Sequence, residues 1–204
     1  MNMTESPVYT VESKDSGIEI RIYPGYILAQ TDVKADFDKA IGMGFSILAN
    51  YIFGGNKKKS KISMTVPISG ENLSQSEKIP MTAPVTEESV DVPEKIAMTA
   101  PITEENAGKH IYRISFTMPS KYTLETLPVP DDERIKFKEV RNQKMAVLRF
   151  KGRVNHKLAD KEVEELKNWL EKNNIKTKSN FLIAQYNNPA VPGFLRKNEI
   201  MVGI

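Results

Sequence analysis

The chain's chemistry-bearing residues fall into a few sets. Three methionines, Met64, Met81 and Met98, recur at a step of 17 inside near-copies of one phrase: KISMTVPI at 61–68, KIPMTAPV at 78–85 and KIAMTAPI at 95–102. Thioethers at equal spacing suit a soft metal, yet each also sits in an apolar row (Ile62, Met64, Val66 and its equivalents) alternating with Ser, Thr or Pro, the pattern of a core strand residue. The stretch 40–53 (AIGMGFSILANYIF) carries no charge, and Gly42 and Gly44 remove two side chains from it. Bare backbone among apolar groups suits a flat apolar ligand, and Lys57, Lys58, Lys59 and Lys61 just beyond could pair with its carboxylates. Cysteine is absent, which removes thiolate metal sites, a Cys nucleophile and disulfides. The two histidines, His110 and His156, both follow the first 109 residues. No G-x-S-x-G elbow, H-E-x-x-H pair or glycine-rich phosphate loop is present. Glu71, Glu87, Glu104, Glu139 and Glu199 could serve acid–base chemistry, but their spacing selects none and each reads as a solvated charge.

The elements that must position these groups show in the periodicity. Ile18, Ile20 and Ile22 alternate with charges, Pro24-Gly25 reads as a turn and 26–33 as a return strand. A helix follows over 36–53, closed by Gly54-Gly55-Asn56. The three repeats read as extended segments, their prolines confining them to sheet edges or strand ends, and 110–118 is a further strand. After the connection TLPVPDD at 126–132 the order restarts: strands at 135–140 and 145–150 joined by an Arg-Asn-Gln turn, a helix over 157–172, and strands at 181–186 and 199–204. Each half reads strand, strand, helix, strand, strand. The fold class is therefore α+β: two pseudo-symmetric units, about 8–125 and 133–204, forming one curved, mostly antiparallel sheet or distorted barrel with two main helices, within a single domain over 1–204.

Composition is ordinary for a globular protein, with 40% hydrophobic and 27% charged residues. A net charge of +3 gives no case for nucleic acid. The N-terminus has no signal-like run, and no 18 apolar residues follow one another, so no membrane partner is expected. A cytoplasmic location fits these features. The oligomeric state is left open, a monomer being the simplest case.

The two helices differ. The second is amphipathic, with Ala159, Val163, Leu166, Trp169 and Leu170 on one stripe. In the first, Phe37, Ile41, Phe45, Leu48 and Ile52 suffice to pack on a sheet, so Met43, Ile47 and Tyr51, with the strip at Gly42 and Gly44, need another cover. Two helical glycines cost about 1 kcal/mol each relative to Ala, so something is expected to approach that backbone closely. The protein's own repeat loops, a second copy of the chain and a flat apolar ligand are the three possibilities.

Taken together, the glycine-ended helix YIFGGN, the MTAPV-type phrases, the segment FTMPSKYTLETLPVPDD and the closing NNPAVPGFLRKNEIMVGI resemble the SOUL heme-binding protein family over nearly the whole chain, from Tyr9 to Ile204. The resemblance implies a distorted sheet barrel similar to gyrase-inhibitor-like small-molecule-binding domains. It also implies non-enzymatic binding of heme or another tetrapyrrole against apolar side chains of the first helix. Counted back from YIFGGN, the matching positions are Gly42, Phe45 and Ala49, where relatives carry a basic residue and larger apolar groups. With no histidine in the first helix, a heme there would not be histidine-ligated at that helix; Met43 and Tyr51 are the conceivable iron donors, and burial would do most of the holding. The expected cofactor-binding set is thus Gly42, Met43, Phe45, Ala49 and Tyr51, with no catalytic and no dedicated metal residues. Two other readings stand beside it. One is a small-molecule hydrolase on the same scaffold; the other is a protein-interaction module using edge strands, against which the acidic tails after the repeats (Glu87-Glu88, Glu104-Glu105) read as edge protection.

Overall fold

Alternating apolar and polar residues build the sheet, and two helices cover its outside. The computed structural model describes residues 5–57, 94–108, 110–187 and 191–204. In chain order they form strand β1 (Thr10–Asp15), β2 (Ile18–Lys34), helix α1 (Phe37–Ile52), β3 (Asn56–Lys57), β4 (Ile102–Gly108), β5 (Ile111–Thr117), β6 (Val129–Pro130), β7 (Lys136–Lys151), helix α2 (His156–Lys172), β8 (Leu182–Gln185), a 3-10 turn (Gly193–Leu195) and β9 (Lys197–Gly203). The main sheet runs β1-β2-β5-β4-β8-β9-β7, and β7 returns to pair with β2. That last pairing closes six strands into a barrel and leaves β1 as an outer flap on β2. Every pairing among the described residues is antiparallel. The expected α+β class and curved antiparallel sheet are what the chain adopts, and no described helix is long and apolar enough to cross a membrane.

Two expected hairpins are instead single long strands. Pro24-Gly25 does not reverse the chain: β2 runs 17 residues through it, and β7 runs 16 through the Arg141-Asn142-Gln143 segment. The two strands pair from Ile18↔Leu148 to Gln30↔Lys136, with Pro24 and Asn142 left out of the ladder opposite each other. Pro24 has no N–H to give, and Asn142 sits at φ 45°, a conformation asparagine tolerates. Here both strands swap faces. Before it, Ile18, Ile20, Ala146 and Leu148 pack under α2; beyond it, Ile27, Ala29, Ile135 and Phe137 pack under α1. The true hairpin partner of β2 is β1, across a turn in which Ser16 and Gly17 have φ 51° and 83°.

The helices cap these two regions from outside. The α2 stripe of Ala159, Leu166 and Leu170 is buried, with Val163 and Trp169 half-buried beside it, and the Asn155 side chain caps the helix by accepting from the Leu158 N–H at 2.9 Å. In α1, Ala40, Leu48, Tyr51 and Ile52 are buried against β5 and the 127–137 segment. The close approach expected at its glycines is met by the protein itself at Gly44, where an added Cβ would lie 2.3 Å from Ile114 Cγ1.

The repeats fare differently from their expectation. Those at 61–68 and 78–85, with Met64 and Met81, lie outside the described residues. The third, 95–102, joins the ladder only at Ile102; before it the chain is held by isolated bonds, from Ile96 N–H to the Ile52 carbonyl at 2.8 Å and from the Thr99 hydroxyl to the Thr117 carbonyl. Ile96 and Ala100 are buried, but Met98 is 39% exposed and so is not the core strand residue its apolar row suggested. Its acidic tail is not edge protection either, because β4 lies between β5 and β8 and Glu104 is buried.

Candidate functional site

Helix α1 turns one face away from the sheet, and most of the predicted site residues stand on or beside it. At 3.6 residues per turn Gly42, Ser46, Ala49 and Phe53 line up, with Phe45 on one flank and Met43 and Asn50 on the other. Phe53 is 59% and Met43 49% exposed, large apolar groups in contact with solvent. Gly42 opens outward, since a Cβ added there meets nothing within 4 Å among the described residues. Phe45 and Ala49 are half-buried, and Phe45 packs edge-on against Phe116 at 5.5 Å between ring centres. Tyr51 points the other way. It is fully buried, donates its hydroxyl to the Pro128 carbonyl at 3.0 Å, and has its pKa raised by burial; it cannot share a ligand with Gly42. Both histidines stand beside the first turn of α1: His110 Nδ1 is 4.0 Å from Asp36 Oδ1, and the His156 ring is 5.4 Å from that of Phe37 while its Nδ1 meets Asp160.

A concavity lies elsewhere, on the sheet face turned away from the helices. It encloses about 1060 Å³ and is walled by Tyr9, Tyr23, Tyr26 and Tyr186 together with Leu182 and Met201. Three of the rings form a connected set, with centroids 5.3 Å apart for Tyr9–Tyr23 and 5.7 Å for Tyr23–Tyr26. Burial dominates the phenols. It pushes Tyr23 up to about 12, raises Tyr26, and with the neighbouring Glu199 raises Tyr186, so all three are neutral donors at physiological pH.

Beneath the tyrosines is a buried network of charge. Arg21, with no exposed surface, donates to both oxygens of Glu199 (2.8 and 3.0 Å), to Glu19 at 2.9 Å and to the Tyr23 hydroxyl at 3.2 Å. Arg149 reaches Glu199 at 3.2 Å, Glu19 at 3.1 Å and the Tyr9 hydroxyl at 3.0 Å, and Tyr186 donates to Glu199. Burial opposes the Arg21 charge, but Glu199 more than compensates and the pKa rises; for Glu19 burial is outweighed by Arg21 and Arg149, which hold its carboxyl below the usual range. Two guanidiniums and two carboxylates thus neutralise one another.

Of the carboxylates the spacing could not rank, Glu199 and Glu104 are buried rather than solvated, Glu139 is exposed in an ion pair with Arg141, and Glu71 and Glu87 lie outside the described residues. Sequence reasoning missed Arg21, Glu19 and the tyrosine set altogether. One signal was present: Glu19 and Arg21 occupy the polar row of an alternating strand, which a barrel turns inward.

Compared with known proteins, the chain matches the family model described as SOUL heme-binding protein over residues 4–71 and 68–203. No curated protein matches it. Among solved structures it is similar to the EcmrR C-terminal domain (10% identity, TM-score 0.59, covering 96% of this chain and 97% of that one) and to a hydrolase from Listeria innocua (12% identity, TM-score 0.53, 94% and 93%). An uncharacterized conserved protein from Listeria innocua is similar too (11% identity, TM-score 0.52, 91% and 90%). At these identities the likeness is one of fold.

Proposed function

The chain belongs to the SOUL heme-binding protein family, and from that premise we propose that it binds heme or another planar tetrapyrrole without enzymatic turnover, the ring lying on the outer face of α1. The observation that carries the reading is the open backbone at Gly42, flanked by the exposed side chain of Met43. A flat ring can lie against a helix only where no side chain stands up between it and the backbone, and apolar neighbours repay its burial at about 25 cal/mol per Å². Gly42, Met43, Phe45 and Ala49 fit such a ring. Tyr51 does not, because its hydroxyl is committed to Pro128 inside the core. Met43 is the thioether on that face, and a bound heme would supply iron to which a thioether or a small exogenous ligand can attach.

The hydrolytic alternative has a named fold relative, and the cavity holds a carboxylate. Glu199 nevertheless spends both oxygens on Arg21, Arg149 and Tyr186, whereas a general base needs an oxygen free to take a proton from water. Binding is the better-supported reading.

The test is a visible absorption titration with hemin and, in parallel, metal-free protoporphyrin. One saturable equivalent of each, abolished in Gly42→Leu, is the expected result. Undiminished binding in that variant rules out the α1 face.

A further inference from the structure

The tyrosine-walled cavity is far from neutral at its rim, and that decides what it can hold. Its floor is balanced, because Arg21 and Arg149 are matched by Glu19 and Glu199. What remains is positive. Lys151 and Lys197 both line the cavity, and they are register partners across β7 and β9, directly opposite each other. Like charges in that arrangement repel, and no carboxylate among the described residues forms an ion pair with either. A sheet that places two lysines face to face at the mouth of an aromatic cavity gains stability from an anion between them.

We infer that this cavity is a second ligand site, separate from the α1 face, and that it takes a planar aromatic molecule carrying one carboxylate or sulfonate. The aromatic body lies among Tyr9, Tyr23, Tyr26 and Tyr186, against Leu182 and Met201, and the acid group sits between Lys151 and Lys197. The volume suits a drug-sized ligand of two or more fused rings. An aromatic cation is disfavoured: Glu199, the one carboxylate among the described residues of the wall, is already shared by two guanidiniums, so a cation would meet net positive charge there.

The test compares two fluorescent probes that differ by the acid group alone, 1-anilinonaphthalene-8-sulfonate and N-phenyl-1-naphthylamine. The sulfonate should bind the native protein saturably at one equivalent and at least about tenfold more tightly than the neutral probe. In Lys151→Gln/Lys197→Gln that preference should vanish while affinity for the neutral probe and the thermal midpoint stay unchanged; both side chains are exposed, so the fold is not at risk. Leu182→Trp, which fills the cavity, should remove both probes, and Gly42→Leu should remove neither, which separates this site from the tetrapyrrole face. Absence of saturable sulfonate binding, equal affinity for the two probes, or a preference that survives the double lysine substitution would each overturn the assignment.

Discussion

Gly44 of α1 sits directly on Ile114 of β5, so closely that a methyl group at residue 44 would penetrate the isoleucine side chain, at 2.3 Å from Cγ1 and 2.6 Å from Cβ. About 200° further round the helix, Gly42 faces nothing within 4 Å among the described residues. Two glycines two residues apart therefore do opposite things: one lets helix and sheet meet, the other leaves a bare strip outside.

Gly44→Ala should destabilise the protein. The overpacking cost of about 1–3 kcal/mol outweighs the roughly 1 kcal/mol gained in helix propensity. Gly42→Ala, with no opposing contact, should instead raise stability by up to about 1 kcal/mol. Urea unfolding of the two variants checks both signs, and a stabilised Gly44→Ala would refute the packing account.

Tyr51→Phe removes the hydroxyl that satisfies the Pro128 carbonyl and should cost about 1 kcal/mol. Hemin affinity should stay as in the native protein, since the ring of residue 51 is inside the core. A parallel loss of hemin binding, read by absorption titration, would bring Tyr51 back as a ligand.

His110→Ala/His156→Ala tests whether iron is held by imidazole. Both rings stand near the first turn of α1 but are exposed beside Asp36 and Asp160. Unchanged hemin affinity and an unchanged Soret maximum are expected. A shifted maximum would mean that one of them reaches the iron.

Acid should weaken the fold through the buried network. The Glu19 carboxyl is held below its ordinary value by Arg21 and Arg149 against the effect of burial. A depressed acid contributes stability that is complete above the unfolded-state value of about 4.3 and is lost as pH falls through the lower folded value. Glu19→Gln should flatten the dependence of the thermal midpoint on pH below about 4.5. An equally steep acid limb in that variant would place the sensitivity elsewhere.

Arg21→Met should be the most damaging of these changes, at about 3–5 kcal/mol, because it leaves buried Glu199 facing Arg149 and buried Glu19 facing only Arg149 and the exposed Lys14. Adding Glu199→Gln should recover part of the loss. A double-mutant cycle on thermal unfolding measures that coupling, and strict additivity would deny the network.

Much of this architecture could be read from the chain. The rows at Ile18, Ile20 and Ile22, the charge-free helix closed by Gly54-Gly55 and the amphipathic stripe from Ala159 to Leu170 gave class, order and both helices. Pro24-Gly25 misled because proline and glycine mark turns, while here the partner strand offers Asn142, equally unpaired, at the same level. β1 was invisible because TVESKD is exposed throughout and has no apolar row to betray it. The charge network was hidden for a different reason: Arg21 and Glu199 are 178 residues apart, and a polar row looks the same whether it faces water or the inside of a barrel. Gly42 and Met43 were legible as part of an uncovered strip, and Phe45 and Ala49 came only with the resemblance, whereas the inward turn of Tyr51 depends on Pro128, which no periodicity connects to it.

The ladder joining β2 to β7 is the longest among the described residues and unites residues as distant in the chain as Ile18 and Leu148. Each of these strands serves both layers of the core, so neither layer is complete until the last third of the polypeptide has returned to the first. Closing so large a loop before any of its contacts can form makes the search slow. A nascent chain ending before β7 lacks the strand that pairs with β2 from Ile18 to Gln30 and so leaves that edge of β2 open to mispairing.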